Sequence, residues 1–425
     1  MASRMMRRRR RLRGFEARSA RATIVGVALA LALAGCASGE APEPESMQAA
    51  AADAGASDGD LSWSSHDHAS HDHSALDASR QDVPPPPPLR TGERYLDVAM
   101  PTAYTPSAPY GEGTDDYRCF LLDPELARDS WITGVDVQPG ATEIVHHVIL
   151  FRVPPGEVAA AEAQDDAEDG PGWTCFSGTG MGGGGVGDLD RAPWLGAWAP
   201  GGTESALDED IGVPVEAGSR IVMQVHYNLL AGDDPDRSAT RLRIAKGSKD
   251  LEALETMLLP APVELPCRLG KTGPLCDRDA AIDDVAERFG ERSRFTVNGL
   301  HVLCGDDPVG STQSCTRTID EPVTVRRAAG HMHLLGRSIS IEANPGTPRA
   351  KMLLDIPIWN FDDQASKPTP KVRLRAGDEV KVTCTWDQGL RDLVPALQGI
   401  PERYVVWGEG TTDEMCLGTL QITEG

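Results

Sequence analysis

Two histidines stand two apart in the stretch Gly330-His331-Met332-His333-Leu334-Leu335-Gly336-Arg337. The residues that follow, Ser338-Ile339-Ser340-Ile341, alternate polar and apolar, so the whole stretch reads as a β-strand. On a strand, side chains two apart share a face, and the two imidazoles would converge. Two converging imidazoles are half of a transition-metal site, although a pair of surface histidines would look the same in isolation. The other histidines change the balance, because they too are grouped. His146 and His147 are adjacent within Glu143–Phe151, an apolar, β-branched segment of the kind that forms a buried strand. His226 lies in a second strong strand, Ile221–Asn228. Adjacent residues of a regular strand face opposite ways, so His146 and His147 can share one ion only if the backbone bulges or twists there. Four more, His66, His68, His71 and His73, lie in a flexible Ser/Asp-bearing tract. Such a tract takes up Cu(II), Zn(II) or Ni(II) loosely, or is simply solvated.

The elements that must position these groups are strands. A chain of 425 residues with 44 Gly, 32 Pro and 5% aromatics is built of strands and turns more than helices. The expected fold is all-β: two tandem antiparallel β-sandwich, jelly-roll-like domains over residues 93–258 and 259–425. Trp131–Val137 is a clear alternating strand, and residues 156–192, acidic and then Gly-rich, read as a long loop. In the second domain, residues 267–315 read as an insertion with four cysteines and one short helical stretch, Ala280–Phe289.

Ahead of the domains, the first 22 residues carry nine arginines against the single Glu16. The apolar run Ile24–Ala34 that follows is too short to span a bilayer comfortably. It ends in Leu33-Ala34-Gly35-Cys36, which resembles a bacterial lipobox. That resemblance implies a signal peptide over residues 1–35, a lipid on Cys36, and a place in the cell envelope with the lipid as the membrane contact. Residues 36–92, rich in Ala, Asp, His and Pro, read as a disordered tether. Eight further cysteines, an even set in an exported chain, imply up to four disulfides: Cys119, Cys175, Cys267, Cys276, Cys304, Cys315, Cys384 and Cys416. The formal net charge of -23 argues against a nucleic-acid partner.

Four separated motifs then resemble one family. They are His146-His147 before an apolar strand, Gln224-Val225-His226-Tyr227, His331-x-His333 with Leu335-Gly336-Arg337, and Asp413-Glu414-Met415-Cys416. In this order they are similar to the copper type II, ascorbate-dependent monooxygenases, whose animal members include peptidylglycine α-hydroxylating monooxygenase and dopamine β-monooxygenase. Trp194-x-x-x-Trp198-Ala199-Pro200 adds to the likeness, which covers about residues 95–424.

The resemblance implies two copper ions per chain. His146, His147 and His226 would hold the electron-storing one. His331, His333 and Met415 would hold the one where O2 and a small-molecule substrate meet, across a wet cleft. A thioether suits Cu(I), which makes Met415 more than a core methionine. The same resemblance implies disulfides Cys119–Cys175 and Cys384–Cys416, leaves the partners of the other four cysteines open, and implies ascorbate or another one-electron donor as co-substrate. A monomer is expected. The peptide-processing relative grips a carboxylate with an Arg two residues before the first His of the pair. Here that position is Ala329, with Leu417 and Thr419 in place of further contact residues. A glycine-extended peptide is therefore not the expected substrate, although Arg327 stands two residues further back. The alternative reading is an envelope lipoprotein that binds or buffers copper without turnover.

Overall fold

A computed structural model describes residues 86–111, 113–176, 178–181, 189–305 and 309–425. The lipobox-like ending at Cys36 and the tract His66–His73 lie outside the described residues. The first half of the described chain runs through β1 (Glu93–Ala99), β2 (Asp115–Leu122), β3 (Ser130–Gln138), β4 (Val145–Val153) and helix α1 (Val158–Asp165). It continues with β5 (Trp173–Thr174), β6 (Trp194–Trp198), β7 (Ser205–Ala206), β8 (Ile211–Val215), β9 (Arg220–Asn228), β10 (Ala239–Lys246) and β11 (Glu252–Ala253). The second half opens with β12 (Glu255–Pro260), β13 (Glu264–Leu265) and helices α2 (Arg278–Phe289) and α3 (Glu291–Cys304). Then come β14 (Thr312–Thr318), β15 (Val323–His331), β16 (Gly336–Ala343) and β17 (Lys351–Ile356). The last four are β18 (Lys367–Leu374), β19 (Glu379–Trp386), β20 (Val405–Val406) and β21 (Leu417–Glu424).

The fold is mainly β, in several antiparallel sheets. The first half forms one sheet in the order β1-β10-β3-β8-β11, with β7 on β3, and another in the order β5-β2-β9-β4-β6. The short β8–β11 pairing is parallel. The second half forms β12-β21-β15-β18, β14-β19-β16-β17 and the small pair β13-β20.

Burial follows sequence pattern. In β19, Val380, Val382, Cys384 and Trp386 are buried while their neighbours are not, the two-residue period of a sheet covered on one face. β2 and β9 are buried along nearly their whole length because their sheet is covered on both faces. One face shares a core with the six-stranded sheet, Phe120, Leu150 and Met223 meeting Ile132, Val135 and Leu242. The other packs Cys119 and Val222 against Trp173 and Ala161 of α1.

A further core joins Ile339, Ile341, Val380 and Val382 of one four-stranded sheet to Val325, Ala328, Leu420 and Ile422 of the other. The two approach closely where β15 pairs Gly330 with Gly418 of β21. A Cβ on Gly330 would stand 2.7 Å from the Ile339 side chain, and one on Gly418 2.9 Å from that of Ile341. Space favours glycine at both positions, more strictly at Gly330, where the crowding atom is the branch methyl of Ile339.

Four disulfides staple the chain: Cys119–Cys175, Cys267–Cys276, Cys304–Cys315 and Cys384–Cys416. Closing loops of these lengths stabilises the fold by about 2.5–4 kcal/mol each in the chain-entropy model, least for the two short ones. The first and last are the pairs that the family resemblance implied. The other two staple the two ends of the insertion.

Three local expectations change. His331 ends its strand, and His333 lies in the turn before β16 rather than on one continuous strand. The insertion holds a second helix, α3, beside the expected one. Residues 158–165, expected as loop, form α1.

Candidate metal centre

The first histidine group is built by two neighbouring strands. β4 and β9 run antiparallel, with His147 directly opposite His226 and Val145 opposite Tyr227. The register shifts between Val145 and His147, so His146 is an extra residue in the ladder. This irregularity is what lets adjacent histidines turn to one side. His146 Nδ1 lies 3.2 Å from His226 Nδ1, and His147 Nδ1 lies 3.3 Å from each of the other two. A point equidistant from all three nitrogens lies about 1.9 Å from each, close to an imidazole–metal bond of about 2.0 Å.

The tautomer of His226 follows from its other nitrogen. Nε2 sits 2.8 Å from Asp115 Oδ1, so the ring donates there and offers a lone pair at Nδ1. Asp115 also accepts from the Thr411 amide at 2.9 Å and the Thr411 hydroxyl at 2.6 Å. Burial pushes its carboxyl up, but bonds from His226, Thr411 and Thr114 outweigh burial and hold it below the usual range. Tyr117 stacks on His226 with centroids 4.0 Å apart, and its hydroxyl donates to the Glu409 carbonyl. Phe361 stacks on His146 at 4.5 Å. Burial and then neighbouring imidazoles push His146 and His147 well below the ordinary histidine range, so both stay neutral.

The second group is set by acceptors on loops. His331 Nδ1 lies 2.6 Å from Gln364 Oε1, and the Gln364 amide is oriented by its own donation to the Phe361 carbonyl at 2.7 Å. His333 Nδ1 faces the Asp413 carbonyl at 3.3 Å. Each ring therefore carries its proton on Nδ1 and a lone pair on Nε2. The two Nε2 atoms stand 3.2 Å apart. Two lone pairs that close repel unless a cation lies between them. Burial holds His331 at about 4 and His333 at about 3.

The turn that carries His333 is tied by Glu414. Its carboxylate accepts from the backbone N–H of His333 and Leu335 and from Trp386 Nε1. Those bonds pull the chain out of the strand after His331. Met415 is buried between Glu414 and the disulfide-bonded Cys416.

Five of the six described histidines thus gather in one place, and the sixth, His301, pairs with Glu264 at 2.6 Å. The expected wet cleft between the groups is absent among the described residues. The His147 and His331 rings are 5.6 Å apart, and His146, His226 and His333 are buried. Asp115, Glu414, Gln364 and Tyr117 complete the centre. Nothing in their spacing could have marked Asp115, Gln364 or Tyr117, whose partners are distant in sequence.

No family model and no curated protein matches this chain. Solved structures give only faint likenesses. An allantoicase structure is 11% identical, over 75% of this chain and 90% of that one, with a TM-score of 0.18. An infectious bursal disease virus particle is 9% identical over 83% and 77%, with a TM-score of 0.18. The coconut allergen cocosin is 9% identical over 78% and 86%, with a TM-score of 0.14. Scores this low carry no argument about fold or function.

Proposed function

We propose that this chain is a copper-dependent monooxygenase built of two tandem β-sandwich domains, residues 93–258 and 259–425. The observation that carries the reading is the two sets of convergent ring nitrogens, three Nδ1 and two Nε2, side by side in one enclosed place. Neutral imidazoles hold copper in both oxidation states, and Met415 is assigned as a thioether partner for the second set. When bound, copper supplies one-electron redox chemistry and O2 activation: one oxygen atom enters a substrate C–H bond and the other leaves as water, with two electrons from an ascorbate-class reductant and two protons.

The chain's own groups prepare this. Asp115, Gln364 and the Asp413 carbonyl each take the proton side of a ring, which aims the opposite nitrogen inward. Phe361 covers His146 and keeps water from it. Ala329 pairs with Thr419, and Leu417 with His331, so the positions beside the second set offer no cation to a carboxylate. Arg327, two residues along β15, donates to the Ser366 carbonyl instead. The reading is therefore a small neutral or aromatic substrate with a weak C–H bond. The same proposal places the protein in the cell envelope, as a monomer held by lipid on Cys36.

The test is oxygen uptake with copper and ascorbate across N-acylglycines, phenethylamines and neutral aromatics. Substrate-dependent uptake by the parent, lost in His333→Ala, is expected. A second reading, copper storage without turnover, is favoured by the enclosed packing of the rings. It stands if the parent binds two coppers yet no substrate raises uptake.

A further inference from the structure

The stapled insertion ends helix α2 on two residues, Arg288 and Phe289, that lead to the two histidine groups separately. The helix is begun by Asp277, whose side chain accepts from the Ala280 amide at 3.0 Å. It buries Ala281, Ile282, Val285 and Phe289 in the second-half core. Its last turn therefore has a fixed direction.

Arg288 grips Asp413 with both terminal nitrogens, Nη1 to Oδ2 and Nη2 to Oδ1, each at 2.8 Å. Asp284, one turn earlier, binds Arg288 at 2.9–3.0 Å and Arg403 at 2.9 Å, closing the network on the helix side. Space around Asp413 is short. A Cβ on Gly408 would stand 2.7 Å from its Cβ, and one on Gly410 2.9 Å from its Oδ2. With the side chain gripped and its neighbours close, the Asp413 carbonyl is fixed, and that carbonyl faces His333 Nδ1. Phe289 goes the other way. It meets Phe176 edge-on at 5.0 Å, Phe176 meets Tyr117 at 5.5 Å, and Tyr117 stacks on His226.

We infer that Arg288 is a positioning residue for His333, acting through Asp413, and that the stapled insertion sets the tautomer of His333 from outside the second histidine group. The inference rests on the metal-site reading for its purpose, but its geometry does not need the ion. A bidentate guanidinium–carboxylate contact fixes direction as well as charge, which a lysine reproduces only in part.

The experiment uses the full chain with 15N-labelled histidine, first free of metal. In the parent, His333 is expected to carry its proton on Nδ1. In Arg288→Met the Nε2–H tautomer should gain population, and Arg288→Lys should lie between the two. The second measurement is Cu(I) affinity by chelator competition with His66, His68, His71, His73, His146, His147 and His226 all changed to alanine, which leaves the second group alone. There Arg288→Met should bind about 10–100-fold more weakly, the usual effect of losing an outer partner of a ligand. A folded Arg288→Met protein with the parent's tautomer and affinity overturns the inference. If Arg288→Met fails to fold, Arg288→Lys decides: equality with the parent overturns it. A parent that shows the tautomer shift on substitution yet binds no Cu(I) upholds the positioning role and sinks the metal reading alone.

Discussion

The two histidine groups reach the same end by different means. The group of three turns Nδ1 inward and is built within one sheet, from two hydrogen-bonded strands and one extra residue in the ladder. The group of two turns Nε2 inward and depends on loop acceptors, Gln364 and the Asp413 carbonyl, with Glu414 holding the turn. A ladder keeps its spacing at little cost, whereas loops hold theirs only while every partner stays in place. The comparison teaches that the first group is set by the register of two strands and the second by partners that reach it from other parts of the chain.

The strongest way to break the comparison is to delete one ligand from each group. With His66, His68, His71 and His73 changed to alanine, His226→Ala should lose one of two bound coppers and His333→Ala the other, by metal analysis of the purified chain. Loss of both ions from either variant would mean a single shared site. Acid is the next largest perturbation. His333 is held at about 3, whereas an unfolded histidine titrates near 6.5. Between those values the unfolded chain binds the extra proton, so stability is full above 6.5 and is lost as pH falls. The slope is about 1.4 kcal/mol per pH unit from this residue alone. Melting of the metal-free parent from pH 7 to pH 5 should show the loss, and His333→Ala should show less of it.

Smaller changes sharpen the distinction. Asp115→Asn should weaken copper at the first group by about 10–100-fold and leave the second nearly unchanged, by competition titration. Met415→Ile should weaken Cu(I) at the second group by about tenfold, or about 1.4 kcal/mol, with little effect on Cu(II). Equal losses of both oxidation states would remove Met415 from the ligand set.

Much of this was legible in the chain. The β-branched runs around His146 and His226 marked their strands, and adjacency alone demanded the irregularity found at His146. The even cysteine count matched four disulfides. What escaped depends on partners far away in sequence. His333 leaves the strand because Glu414, 81 positions on, takes its amide. Glu291–Cys304 mixes Gly299 and β-branched residues in a way that argues against a helix, yet it folds as one beside α2, anchored at its end by Cys304–Cys315. The approach of the two groups rests on Asp115 and Thr411, which no local pattern links.

The facing glycines of β15 and β21 also constrain how such a chain can diverge. A Cβ at Gly330 would crowd Ile339 and one at Gly418 would crowd Ile341; Gly330 is next to His331 in β15 and pairs with Gly418 in β21. At Gly330 the crowding atom is the branch methyl Cγ2 of Ile339, so a methyl there needs that side chain to give way, whereas at Gly418 it is the terminal Cδ1 of Ile341, which a rotamer change can move. Lineages that enlarge Gly330 should therefore carry a residue unbranched at Cβ, such as Leu or Ala, in place of Ile339, because Val keeps the crowding methyl, and Gly418 is the freer of the two to diverge.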